Sequence, residues 1–161
     1  MADRKLLFRL SFKNPWHLAA IGFGSGLFPK APGTAGSLAA LPLCMLLVYA
    51  PLWLQLVIIL LAFIVGTKAC SEAEKAMGVH DHGGIVIDEF VGMFIAVVAF
   101  PAVWWSALPA FVFFRFFDIL KPFPVGYADR KVKGGLGIMV DDVLAGLYAL
   151  LCGQLLWWAV L

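Results

Sequence analysis

Residues 83–94 read GGIVIDEFVGMF, so Asp88 and Glu89 stand side by side at the head of a long apolar run. The pattern returns at residues 137–148, GIMVDDVLAGLY, where Asp141 and Asp142 precede the final apolar stretch. Ionised carboxylates are costly to hold next to apolar surface unless something of opposite charge meets them. The spacing within each stretch suggests how they meet. Asp88 is four residues before Gly92, and Asp142 is four before Gly146. Residues four apart share a helix face, and glycine on that face lets two helices approach closely. The two acidic pairs are therefore expected to begin two helices that pack through glycine and bring their carboxylates together. Such a group at low dielectric repels itself unless a cation lies between its members. Oxygen ligands of this kind suit a hard ion, Mg²⁺, Mn²⁺ or Ca²⁺. The alternative for either pair alone is a helix N-terminus favoured by the macrodipole.

The rest of the chain supplies the setting. Of 161 residues, 63% are hydrophobic and 14% charged, and the mean hydropathy is +0.95. That composition belongs to membrane proteins. Charged residues and histidine are absent from residues 31–67, 90–114 and 143–161. A spanning helix takes roughly 20 apolar residues, so the predicted fold is all-α: a polytopic membrane bundle of about four to five spans in one domain, residues 1–161. Residues 1–17 mix charged and apolar residues without the apolar core of a cleavable signal and are predicted to form an amphipathic segment on the membrane surface. The predicted spans are AGSLAALPLCMLLVYA with PLWLQLVIILLAFIVG as a hairpin turning near residues 49–53, then IDEFVGMFIAVVAFPAVWW, a shorter SALPAFVFFRFFDILKPFP stopped by its prolines, and DDVLAGLYALLCGQLLWWAVL. Residues 67–84 are expected as a polar helix followed by a loop, and residues 125–140 as a basic, glycine-rich loop. In this layout every charged segment falls on one face, assigned to the cytoplasm by its excess of Lys and Arg. Trp53, Trp104, Trp105, Trp157 and Trp158 fall on the other, as an interfacial aromatic belt.

A net charge of +2 with no basic patch argues against a nucleic-acid partner. Cys44, Cys70 and Cys152 lack metal spacing and read as small apolar residues. The glycine-rich residues 22–37 hold Gly33, Thr34, Gly36 and Ser37. There, backbone N–H groups and a helix N-terminus capped by Thr34 or Ser37 would suit a phosphate. Lys30, Arg115, Lys121 and Arg130 add cations on the same face, and Arg115 stands three residues before Asp118 on one helix. His80 and His82 flank Asp81, without a common zinc spacing, and could act as a base or bind substrate. Tyr127 and Asp129 could anchor the interface or support the site. One competing class is a small transporter or ion-pathway subunit, but its carboxylates should lie near mid-span, whereas these lie at one end.

Four blocks, NPWHLAAIGFGSGLFPKAPGTAGSLAALP, MGVHDHGGIVIDEFVGM, FRFFDILKPFPV and DRKVKGGLGIMVDDVLAG, run in order through most of the chain. Together they resemble the phosphatidylglycerophosphatase A family of bacterial membrane lipid phosphatases. Two other lipid enzyme families fit poorly. The spaced DG…AR…G…D…D signature of CDP-alcohol phosphotransferases is missing, as is the PSGH block of type 2 phosphatidic acid phosphatases. The resemblance implies Mg²⁺-dependent removal of the terminal phosphate of phosphatidylglycerophosphate, in the inner membrane of a Gram-negative bacterium. On that reading Asp88, Glu89, Asp141 and Asp142 hold Mg²⁺. Asp88, Glu89, Asp118 and Asp142 carry the reaction, with Asp118 as a further ligand or base. Gly33, Thr34, Gly36, Ser37, Lys30 and Arg115 bind the phosphate. His80, Asp81, His82, Lys121, Asp129 and Arg130 stand further out.

Overall fold

The structure is a computed structural model that describes residues 4–160. The described residues form helices joined by turns, with no strand among them. The first three residues of the expected amphipathic head, and Leu161, lie outside the described residues. From Arg4 to Arg9 the chain makes a 3-10 turn, and the Arg9 guanidinium donates to the Met77 carbonyl oxygen at 3.0 Å.

Helix α1 (Pro15–Ala20) has proline in its first turn and Asn14 as N-cap, whose side chain accepts from the Trp16 N–H. Both features satisfy a helix start. Lys68 stacks its ammonium 4.4 Å from the Trp16 ring centre. After a 3-10 stretch at Gly22–Leu27, α2 runs Pro32–Leu47 and α3 runs Leu52–Met77. The turn between them falls at residues 48–51, close to where the sequence places it. The polar residues 67–77 do not form a separate helix; they extend α3 to 26 residues, because Ala, Glu and Lys sustain helix as well as the apolar run does. Gly78, at φ 74°, ends it in the left-handed conformation that glycine adopts freely.

Helix α4 (Ile87–Ala96) is the centre of the molecule. All ten of its residues are buried, and α2, α3, α5 and α7 pack around it. A helix apolar on nearly every side is stable only when enclosed in this way. It stops well short of the expected span end at Trp105. Pro101 lacks an N–H and disfavours helix at Phe100. Side chains from neighbouring helices then hold the turned backbone: Gln55 accepts from the Ala99 N–H at 3.0 Å, and Gln154 donates to the Val98 carbonyl at 2.8 Å.

Helix α5 (Ala107–Leu120) ends where Lys121 turns left-handed, just before Pro122. The expected loop at residues 125–140 is instead mostly helical. It contributes α6 (Val125–Lys131) and the first turns of α7 (Gly134–Val160). Gly135 serves packing: a Cβ there would collide with Ser71 and the Thr67 carbonyl on α3.

Two helices, α3 and α7, are long and apolar enough to cross a membrane by length and composition. Helices α2, α4 and α5, at 16, 10 and 14 residues, fall below a full span. By length, then, two of the expected four to five spans qualify. Helix α3 leaves Leu56, Leu60 and Ile64 exposed along one face, and α7 does the same with Leu147, Leu151 and Leu155.

Candidate metal and phosphate site

The first turn of α4 carries Asp88 and Glu89 into the core, both buried. Asp141 and Asp142 are also buried, but they do not begin a helix. They lie in the interior of α7, which starts at Gly134. Helix-end electrostatics therefore cannot account for the second pair, since that effect fades within one turn. Helices α4 and α7 share the most extensive contact in the molecule, and Gly92 faces Gly146 across it. The acidic pair on each helix sits one turn before that crossing.

Glu89, Asp118 and Asp142 each offer a carboxylate oxygen, and these oxygens lie within 4.8 Å of one another. The three come from α4, α5 and α7. Asp142 is also within electrostatic reach of Asp88 and Asp141. Two side-chain oxygens nearby, Asp88 Oδ1 and Asp142 Oδ2, are buried with no hydrogen-bond partner. Buried polar atoms are almost always paired, yet one of these two belongs to the triad's own Asp142 and the other to Asp88, a donor set whose chemistry would suit a cation. Asp141 is differently placed. It is paired with the Lys121 ammonium at 2.5 Å, which also meets Asp129 at 3.0 Å. Burial works against the Lys121 charge, but the hydrogen bond and charge of Asp141, followed by those of Asp129, raise its pKa above the ordinary lysine value.

Glu89 is gripped through one oxygen. Its Oε2 accepts from the Ser37 hydroxyl at 2.6 Å and from Arg115 Nη1 at 2.7 Å. The same Nη1 meets Asp118 Oδ2 at 2.6 Å. Ser37 Oγ is also 3.0 Å from the Gly33 carbonyl oxygen. Its single proton serves one acceptor at a time, and the carboxylate is the stronger one. Gly33 lies so close to Glu89 Oε1 that a Cβ there would collide with it.

Neither Thr34 nor Ser37 caps α2. The helix begins earlier than expected, at Pro32, with Ala31 in a left-handed conformation as its N-cap and no side-chain cap bond. Gly33, Thr34, Gly36 and Ser37 are thus helical rather than a phosphate-cradling loop. The first-turn amides of Gly33 and Thr34 still lack intrahelical acceptors. Gly36 instead packs on Val86. Lys30 is exposed and shares an open cleft with Thr34.

The outer residues divide. His80 Nδ1 is 3.0 Å from Glu74 on α3, at the surface. His82 is buried and accepts the Gly84 N–H on Nδ1, which fixes a turn. Asp81 turns left-handed at φ 47°. Burial raises its carboxyl above the usual range, and the Lys121 charge offsets part of that rise. Arg130 is exposed in the last turn of α6. The link from Ser37 to Glu89 spans 52 positions, and no local pattern announces it. Asp118 carried a signal in its spacing from Arg115, although that spacing fits a plain ion pair equally well.

A family model described as Phosphatidylglycerophosphatase A matches residues 18–157. The chain is 50% identical over 139 residues to Phosphatidylglycerophosphatase A of Escherichia coli (strain K12), covering 86% of this chain and 81% of that one. It is 50% identical over 153 residues to Phosphatidylglycerophosphatase A of Haemophilus influenzae, covering 94% of each. No solved structure matches the chain.

Proposed function

The chain belongs to the phosphatidylglycerophosphatase A family, and we propose that it hydrolyses the terminal phosphomonoester of phosphatidylglycerophosphate, releasing phosphatidylglycerol and inorganic phosphate. The observation that carries this reading is the convergence of Glu89, Asp118 and Asp142, with one Asp142 oxygen and one Asp88 oxygen buried and unpartnered. This donor set fits Mg²⁺, a hard ion bound through carboxylates that keeps room for water and phosphate oxygens. Glu89, Asp118 and Asp142 would hold it. Compared with the four ligands expected from sequence, Asp118 joins Glu89 and Asp142, while Asp88 and Asp141, the latter engaged by Lys121, stand outside the set. Bound there, the ion supplies charge neutralisation for phosphoryl oxygens and acidifies water.

The chain's own groups do the remainder. Arg115 and Lys30, with the first-turn amides of α2 at Gly33 and Thr34, bind phosphoryl oxygens and favour the charge that builds on them. Ser37 fixes Glu89 through Oε2, while Oε1 lies against Gly33 of α2. Asp88 Oδ1, with no donor of its own, would take a proton from the attacking water. The enclosing helices keep other water out.

The reading also places the protein in a membrane, with the site at the cytoplasmic headgroups of a Gram-negative inner membrane. The leucine stripes of α3 and α7 support lipid contact. The charged groups gather at one end, where Arg9 meets Met77 and Lys68 meets Trp16. At the other end the Trp105 and Trp157 rings meet at 5.2 Å, tilted by 59°. Excess Lys and Arg at the site's end assigns it inward. The test is phosphate release by purified protein in detergent, comparing phosphatidylglycerophosphate, phosphatidic acid and glycerol 3-phosphate. Phosphatidylglycerophosphate should be hydrolysed at least about tenfold faster than the others. Equal rates, or none, would remove the assignment.

A further inference from the structure

Arg115 is bound in an unusual way for an arginine among carboxylates. Arginine ordinarily offers a fork, two parallel N–H groups to the two oxygens of one carboxylate. Here a single nitrogen does all the work. Nη1 lies 2.7 Å from Glu89 Oε2, 2.6 Å from Asp118 Oδ2 and 3.4 Å from Ser37 Oγ. That nitrogen carries two protons, yet three oxygens from three helices crowd it. Meanwhile Nε is buried with no partner. The guanidinium is thus held as a point charge, in an oxygen shell of the kind a small hard cation gathers, and its forked geometry goes unused. Two of the three oxygens belong to Glu89 and Asp118, members of the converging triad.

We propose that Arg115 is the resident counter-ion of the triad and competes with the divalent cation for it. The cation enters as Nη1 withdraws from Glu89 and Asp118. The released guanidinium then presents Nε and Nη together to the phosphoryl oxygens, the bidentate arrangement it prefers. One residue thereby keeps the empty carboxylates from repelling one another and couples metal entry to phosphate binding. The inference rests on the metal reading of the triad given above.

The test is Mn²⁺ binding to purified protein in detergent without substrate, followed by the loss of the free-ion electron paramagnetic resonance signal. Arg115→Gln removes the competing charge. It should bind Mn²⁺ about tenfold more tightly than wild type, while phosphate release falls by about a hundredfold. If Arg115 merely draws the carboxylates into place, Arg115→Gln binds Mn²⁺ no better or worse than wild type, and the proposal is overturned. Arg115→Lys covers the case in which the neutral variant does not fold. It keeps the charge but loses the fork, so Mn²⁺ affinity should stay within about threefold of wild type while turnover falls. Affinity more than about tenfold weaker in that variant would equally overturn the proposal. Wild-type protein that binds no Mn²⁺ at all would end the metal reading itself, and this inference with it.

Discussion

Gly146 of α7 rests against Gly92 of α4 so closely that a Cβ on Gly146 would come within 2.5 Å of the Gly92 carbonyl oxygen. Each glycine lies one turn beyond an acidic pair, so this crossing sets how near Asp142 comes to Asp88 and Glu89. Gly146→Ala must push the helices apart, because the obstructing atom is backbone. Overpacking of this kind costs about 1–3 kcal/mol. The expected result is a lower melting temperature in detergent, together with more Mg²⁺ needed for half-maximal rate, as the carboxylates spread. A variant with wild-type melting and metal response would show that the crossing does not govern the site.

Ser37 and Glu89 offer a narrower probe. Ser37→Ala removes a buried 2.6 Å hydrogen bond to a carboxylate, worth about 1–3 kcal/mol. Glu89 would keep its Arg115 contact but lose a fixed orientation. Turnover should fall by about tenfold, with more Mg²⁺ needed for half-maximal rate. Ser37→Thr, which retains the hydroxyl, should recover most of the loss. A Mg²⁺ response unchanged in Ser37→Ala would separate Ser37 from the metal ligands.

Asp118 and Asp141 should behave differently although both are acidic and close together. Asp118→Asn removes a member of the triad and should reduce turnover by at least about a hundredfold. Asp141→Asn breaks the ion pair with Lys121, loosening the end of α5 against α7. Its main effect should be on melting temperature, with turnover reduced by less than about tenfold. The reverse ranking, measured by phosphate release and thermal melts on the same samples, would restore Asp141 to the ligand set in place of Asp118.

Much of the site was legible because it depends on local spacing. Asp88 and Gly92 share a helix face by simple period, as do Asp142 and Gly146, and the structure makes that face the contact between α4 and α7. The end of α5 was equally plain, since Pro122 cannot continue it. The boundaries of α4 and α7 were not. Residues 97–105 are apolar enough to read as span, but Ala99 and Val98 are tied down by Gln55 and Gln154 from distant helices. Gly134, Gly135 and Gly137 read as loop, whereas the close approach of α3 requires a small residue at 135 and that of the Val132 backbone one at 137. The pairing of Lys121 with Asp141, and of Ser37 with Glu89, is tertiary. Only the packed helices reveal it.

The central claim is that Glu89, Asp118 and Asp142 work through one divalent cation on a lipid phosphomonoester. Phosphate release from phosphatidylglycerophosphate, measured on chelator-treated protein and again across a Mg²⁺ titration, addresses it most directly. The expected result is activity that vanishes under chelation and returns with Mg²⁺, with the return absent in Asp142→Asn. Full turnover in the presence of chelator would contradict it.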